Sequence, residues 1–161
     1  MKCKIRRIEK RDDAQIEKII RSCLIEFGGD HEGTAWADPN LGKFSEIYTG
    51  EKNAYWVAEN QNGTVVGGVG IGELPNVTDT CELQKMYCCP SVRGTGVAHL
   101  LIQQALTFAT ERYDYCYLET LESMKAAQNF YEKYGFKRVA EAIGETGHTA
   151  CDVRYIKHLE K

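Results

Sequence analysis

The chain has 161 residues, enough for one domain that buries a sizeable core, and it is read as a single domain over residues 1–161. A formal net charge of −3 lacks the basic field on which nucleic-acid binding depends, which argues against that class. No stretch reaches the roughly 18 consecutive apolar residues of a membrane span, and the opening MKCKIRRIEKRDD carries no apolar core of an export signal. A cytoplasmic protein with no membrane partner is expected.

In chain order, CKIRRI (Cys3 to Ile8) alternates as a first strand. RDDAQIEKIIRSCLIEF then places Ala14, Ile16, Ile19, Ile20, Cys23, Leu24 and Phe27 near the helical period. Gly28 to Gly50 is rich in Gly, Asp and Glu, with Trp36 and an Asp38-Pro39 break, and a short helix is expected within PNLGKFSEIY. AYWVAENQNGTVVGGVGIGEL reads as two strands joined by a hairpin at Asn62-Gly63. CELQKMYCC is a further strand, and GVAHLLIQQALTFATERY a helix with Val97, Leu100, Leu101, Ala105, Phe108 and Ala109 on one side. YCYLETL is a strand, and SMKAAQNFYEKYG a helix with Ser123 as N-cap and Gly135 as its stop. FKRVAEAI and CDVRYIKHL close the chain as strands. An early antiparallel meander followed by β-α-β-α units predicts an α/β (α+β) fold, a mixed central sheet with helices on both faces.

Seven cysteines without a C-x-x-C read as reduced thiols. Cys88 as a nucleophile has no His at a telling distance and is set aside. The four histidines are scattered without paired cysteines or carboxylates, so no metal site is expected. Two glycine-rich segments compete for an anion. VVGGVGIG (Val65 to Gly72) is followed by Glu73-Leu74-Pro75 and not by a helix, so it reads as a strand whose missing side chains let something approach the backbone. RGTGVA (Arg93 to Ala98) follows a strand and opens a helix. Gly94 and Gly96 there can take positive φ, so that backbone N–H groups converge on one anion, with the helix N-terminus and Arg93 adding positive charge. A pyrophosphate suits this turn.

Arg93, Gly96 and Ala98 form R-x-x-G-x-A after a strand ending in Cys89-Pro90, and MKAAQNFYEKYGFKRV (Met124 to Val139) follows some forty residues on. Together these resemble the two acetyl-CoA motifs of the GCN5-related N-acetyltransferase superfamily, and the strand–helix order from Cys3 to Leu159 is similar to that superfamily's fold. The resemblance implies a splay between the fourth and fifth strands, with acetyl-CoA as co-substrate. Backbone amides of Arg93, Gly94, Thr95, Gly96, Val97 and Ala98 would bind its pyrophosphate. The strand around Met86, Tyr87 and Cys88 would pair with its pantetheine arm. Met124, Ala127 and Tyr131 would flank its other side. Met124 stands where many relatives carry Asn, so a polar contact there is lost.

Acetyl transfer to an amine needs a group that takes a proton and one that returns a proton to the leaving sulfur. Tyr131 matches the family's general acid, with Tyr134 as fallback. Glu82 resembles the base of the histone-modifying branch and, by alternation, is expected on one sheet face with Gln84 and Met86. Glu119, directly or through water, and His148 are the other candidate bases. A backbone N–H near Met86 is the expected oxyanion donor. The acidic loop Gly28 to Gly50, with Trp36, and the GETGHTACD segment are expected to wall the acceptor site. The expected activity is an acetyl-CoA-dependent N-acetyltransferase (an acyltransferase) acting on a small-molecule amine by direct transfer. The alternatives are a protein or peptide N-acetyltransferase and a non-catalytic acyl-CoA sensor. CDVRYIKHL is read as an exposed edge on which two protomers could pair as a homodimer.

Overall fold

The computed structural model describes residues 2–144 and 151–161. Its elements run β1 (Cys3–Arg7), α1 (Asp13–Glu26), α2 (Phe44–Ile47), β2 (Ala54–Asn60), β3 (Val65–Leu74), β4 (Val77–Cys88), α3 (Val97–Thr110), β5 (Tyr115–Thr120), α4 (Lys125–Lys133), β6 (Lys137–Val139) and β7 (Val153–His158). This is the element order expected from the sequence. The strands form one mixed sheet in the order β1-β2-β3-β4-β5-β7-β6. Among the described strands only β4 and β5 run parallel, and α3 supplies the crossover that a parallel pair requires.

Each sheet face carries a helix because each strand pair offers two apolar faces. Leu101, Ile102, Ala105 and Phe108 of α3 pack on Trp56, Val69 and Ile71. On the opposite face Ile16, Ile20 and Leu24 of α1 pack on Tyr55 and Val57. Arg6 anchors the outer end, with its guanidinium 2.7 Å from Asp12 at the start of α1 and 2.7 Å from Glu59 on β2. At Asn62-Gly63 the chain reverses as expected: Gly63 takes φ +80°, and the Asn60 side chain accepts the Asn62 and Thr64 amides at 3.0 and 2.9 Å.

The glycine-rich stretch is β3, the strand predicted for it. Gly68, Gly70 and Gly72 alternate with Val69 and Ile71, so the side toward α1 is stripped of side chains. The Tyr55 ring fills the vacated space: a Cβ on Gly68 would fall 2.6 Å from that ring and one on Gly70 2.8 Å from it. From there the Tyr55 hydroxyl donates to the Lys85 carbonyl at 2.8 Å. Lys85 has φ +51°, and the β3–β4 register slips between the pairs Gly70–Gln84 and Gly68–Tyr87. One residue is therefore extra on β4, a bulge that bends the strand.

That bulge overturns one expectation. Glu82 and Gln84 face α1, but Met86 packs with the core on the α3 side and Tyr87 with the core on the α1 side. Alternation fails because the extra residue at Lys85 reverses the parity of everything after it. Beyond Glu82–Tyr117, the last β4–β5 pair, the two parallel strands separate while β4 continues to Cys88. This is the expected splay.

The short helix expected within PNLGKFSEIY is present as the single turn α2, tied to α1 where Ser45 donates from its amide and hydroxyl to Asp13 at 2.9 and 2.5 Å. Other differences are local. Ser123 is not the cap of α4: its hydroxyl donates to the Phe27 carbonyl at 2.8 Å, and Met124 holds the N-cap position. FKRVAEAI contributes only Lys137–Val139 as strand. The final strand is no free edge, because β6 covers β7 on the side away from β5. A homodimer cannot be built by adding a strand to β7.

Gly68→Ala is expected to cost about 1–3 kcal/mol by overpacking against Tyr55. The urea midpoint should fall at constant slope. An unchanged midpoint would show that the glycine-cleared face is not needed for Tyr55 to seat.

Candidate active site

Two cavities lie at the splay. The larger, about 480 Å³, runs from α1 across the outer part of β4 to the start of α3 and the face of α4. Its size is that of a small-molecule or cofactor site. The smaller, about 60 Å³, lies on the α1 side around Glu82 and Glu119. They share Met86, Tyr87, Met124, Ala127 and Tyr131. The two linings therefore adjoin at these five side chains, Tyr131 among them.

The large cavity gathers most of the residues assigned to acetyl-CoA. Met86, Tyr87, Cys88, Arg93, Gly94, Gly96 and Ala98 all line it. Gly94 and Gly96 have φ +79° and +93°, with open space where a Cβ would stand, so glycine serves conformation there and keeps the mouth clear. Two of the proposed amides are already committed, Arg93 N–H to Pro90 at 3.3 Å and Thr95 N–H to Val92 at 3.2 Å. Thr95 also donates its hydroxyl to Val92, and the Val97 side chain is buried in the core. The first-turn amides of α3, which no helix can satisfy internally, remain for an anion.

The Arg93 side chain has another task. Its guanidinium forks onto Glu26 at 2.7 and 2.9 Å, reaches the Cys88 carbonyl at 3.4 Å and lies over the Phe27 ring. The full charge expected for the anion is thus shared with Glu26, and Arg93 clamps the turn to α1. Met124 receives the Thr120 hydroxyl on its sulfur at 3.4 Å and contributes apolar surface to both cavities.

Tyr131 is 7% exposed, and that residual surface faces the cavities. Burial raises its pKa far above the usual tyrosine value, so the hydroxyl stays protonated and able to donate. Tyr134 lines neither cavity. Its ring packs edge-on against His99 and tilted against Phe130, with its hydroxyl buried and unpartnered among the described residues.

Glu82 is 4% exposed on the small cavity. Burial pushes its carboxyl up to about 7, against the Gln84 amide, which donates to it at 2.7 Å, and the nearby Lys85; the Glu119 charge adds to the rise. Glu119 lines the same cavity, and the Tyr117 hydroxyl donates to it at 2.6 Å. Lys85 is tied to Asp38 at 3.1 Å. The loop expected to wall the acceptor contributes Thr34 and Ala35. Trp36 is not on that wall: its ring lies under the Arg21 guanidinium at 4.8 Å. His148 lies outside the described residues. Cys151 completes the lining, its thiol pushed up to about 12 chiefly by burial. Cys88 is raised equally, to about 12, again by burial, which disfavours a thiolate nucleophile.

Sequence reading missed Cys23, Phe27, His99 and Phe130 on the large cavity and Gln84 and Lys85 on the small one, whereas Cys151 belongs to the GETGHTACD segment expected to wall the acceptor. Cys23 and Phe27 share a turn-to-turn face of α1, a visible signal, but nothing in the sequence aims that face at β4.

A family model for the acetyltransferase (GNAT) domain matches residues 51–138. The chain is 41% identical over 158 residues to an uncharacterised N-acetyltransferase of Escherichia coli strain K12, YjgM, covering 96% of this chain and 94% of that one. Among solved structures, an acetyltransferase of the GNAT family from Staphylococcus aureus Mu50 superposes with a TM-score of 0.86 at 21% identity, covering 99% and 100% of the two chains. A GNAT superfamily phosphinothricin acetyltransferase from Sinorhizobium meliloti, in complex with acetyl-CoA, superposes with a TM-score of 0.77 at 19% identity over 99% and 89%. The class defined by this fold and its paired cavities is an acetyltransferase. The chain belongs to the GNAT family.

Glu82 ionises at about 4.5 when unperturbed and about 7 when folded, so between those values the folded chain holds the extra proton. Stability therefore falls as pH rises through this window. Glu82→Gln cannot ionise and should gain on the wild type by roughly 3 kcal/mol between pH 4 and pH 8, read as diverging urea midpoints. Midpoints that stay parallel would show that Glu82 ionises normally.

Proposed function

We propose that the protein transfers the acetyl group of acetyl-CoA to a primary amine of a small molecule, directly, with both substrates bound. The observation that carries this reading is the set of residues that the two cavities share, Tyr131 among them, with Glu82 on the smaller one. The large cavity fits acetyl-CoA in three respects: its volume, the glycine turn with open space at Gly94 and Gly96, and the splayed strand Met86 to Cys88, whose backbone can pair with an amide-bearing arm. When bound, acetyl-CoA supplies the thioester carbonyl carbon and a sulfur leaving group.

The small cavity has room for about four water-sized groups, which suits the short arm of an amine. An alkylammonium is almost wholly protonated at neutral pH. Glu82, poised at about 7, takes its proton and exposes the lone pair. The amine nitrogen then bonds to the carbonyl carbon, while a backbone N–H near Met86 is assigned to the developing oxyanion. As the carbon–sulfur bond breaks, Tyr131 gives its proton to the sulfur and is restored from solvent. Glu119, which faces the same cavity, adds negative potential that favours a cationic acceptor.

The test is release of free thiol from acetyl-CoA in the presence of a panel of amines, amino acids and short peptides. Wild-type release should depend on a small amine or amino acid. Tyr131→Phe should lower kcat 10²–10⁴-fold, as loss of a general acid does, and Glu82→Gln should abolish the acid limb of the pH profile. Unchanged turnover in Tyr131→Phe would remove Tyr131 as the acid. Turnover of peptides alone would establish a protein acetyltransferase, and tight binding of CoA with no release from any acceptor would favour a sensor.

A further inference from the structure

The glycine-rich strand has a use beyond seating Tyr55. Gly72 pairs with Glu82 across β3 and β4, and Gly70 with Gln84. A Cβ on Gly72 would fall 2.6 Å from the Gln84 amide nitrogen, and one on Gly70 3.1 Å from the Tyr48 ring. The bare face of β3 is thus the floor on which the Gln84 side chain and the Tyr48 ring lie. On that floor the Tyr48 hydroxyl donates to Gln84 Oε1 at 2.5 Å, and Gln84 Nε2 donates to Glu82 Oε1 at 2.7 Å. Tyr48 is buried, so its hydroxyl must find a protein partner, and by donating it holds the amide oxygen away from Glu82. The amide nitrogen is then presented to the carboxyl.

We propose that Gln84, steered by Tyr48 across the glycine floor of β3, is a positioning residue that fixes the Glu82 carboxyl at the acceptor cavity and favours its ionised form. Its catalytic consequence rests on the reading of Glu82 as the base. An N–H donor is worth more to a carboxylate than to a neutral acid, so this bond opposes the burial that would otherwise keep Glu82 protonated. Among the described residues, the other charged or titratable groups that act on Glu82 or line its cavity are the following. Lys85 on β4 favours the charged form, Glu119 on β5 opposes it, and Asp38 shares the Lys85 charge. Tyr87, Tyr131 and Cys151 also line the cavity, and burial holds all three protonated. Among these, Gln84 is the neutral donor bonded to the carboxyl.

The test reads the carboxyl itself. In protein labelled with ¹³C at the glutamate carboxyl carbons, the resonance that disappears in Glu82→Gln is assigned to Glu82 and followed with pH. It should titrate near 7 in the wild type and about one to two pH units higher in Gln84→Met, the change expected for losing a hydrogen bond to a charged group. Tyr48→Phe should shift it in the same direction. Gly72→Ala should do so as well without unfolding the chain, because the added methyl meets the far end of a flexible side chain. A Glu82 resonance that titrates at the same pH in Gln84→Met as in the wild type overturns the positioning role, whatever the rate profile does. With the acceptor found by thiol release, the acid limb of kcat/KM should move with the resonance. A resonance that shifts while the limb stays fixed upholds the positioning role and instead rejects Glu82 as the base, so the two failures are distinct.

Discussion

The hydrogen bond from Tyr55 to the Lys85 carbonyl is the contact on which the site depends. A strand that bulges takes a carbonyl out of its ladder, and a tyrosine buried in a core needs a partner for its hydroxyl. Each satisfies the other here at 2.8 Å. The arrangement is possible only because β3 is bare on that side: Gly68 and Gly70 give the Tyr55 ring its place, and Gly72 gives the Gln84 amide its place. Two outcomes follow from the bulge. Met86 and Tyr87 exchange the faces that alternation would assign them, and β4 bends away from β5 beyond Glu82. The splay that opens both cavities and the side chains at their junction thus share one cause.

The electrostatics of the site contrast with those of the sheet's outer end. There Asp12 is also buried, which pushes its carboxyl up, but the Arg6 guanidinium and the Glu9 amide bring it down below the usual range. That carboxylate is structural and held in its charged form by its partners. Among the described residues no guanidinium bonds Glu82: the cation near it, Lys85, is shared with Asp38, and its bonded donor is a neutral amide. Burial therefore wins, and the group is left near 7. A carboxyl held between its two forms is costly to keep in a core and useful at a proton-transfer site.

Much of the site was legible as motif. The Arg93–Ala98 turn, the outer part of β4 and the Met124–Tyr131 segment were each assigned to one ligand from sequence and do line one cavity. What failed was side-chain direction. Alternation placed Met86 with Glu82 because a bulge residue such as Lys85 looks like any strand residue in sequence. Ser123 was read as a cap because its competing acceptor, the Phe27 carbonyl, lies far away in the chain. Arg93 was aimed at an anion because Glu26, its actual partner, belongs to another element. Trp36 was placed on the acceptor wall as part of the Gly28–Gly50 loop, whereas it is Thr34 and Ala35 beside it that line the cavity.

The sequence by itself determined what local chemistry decides: the order of elements through hydrophobic period, the hairpin at Asn62-Gly63, the positive-φ turn at Gly94 and Gly96, and the family to which the motifs belong. Those features depend on residues within a few positions of one another. Only the tertiary structure decided the order of β7 and β6 in the sheet, the parity of β4 beyond Lys85, and the Tyr48–Gln84–Glu82 chain laid on bare β3. Each of these turns on groups distant in the chain and brought together by burial, where an unpaired polar atom or an extra methyl is costly enough to select one arrangement.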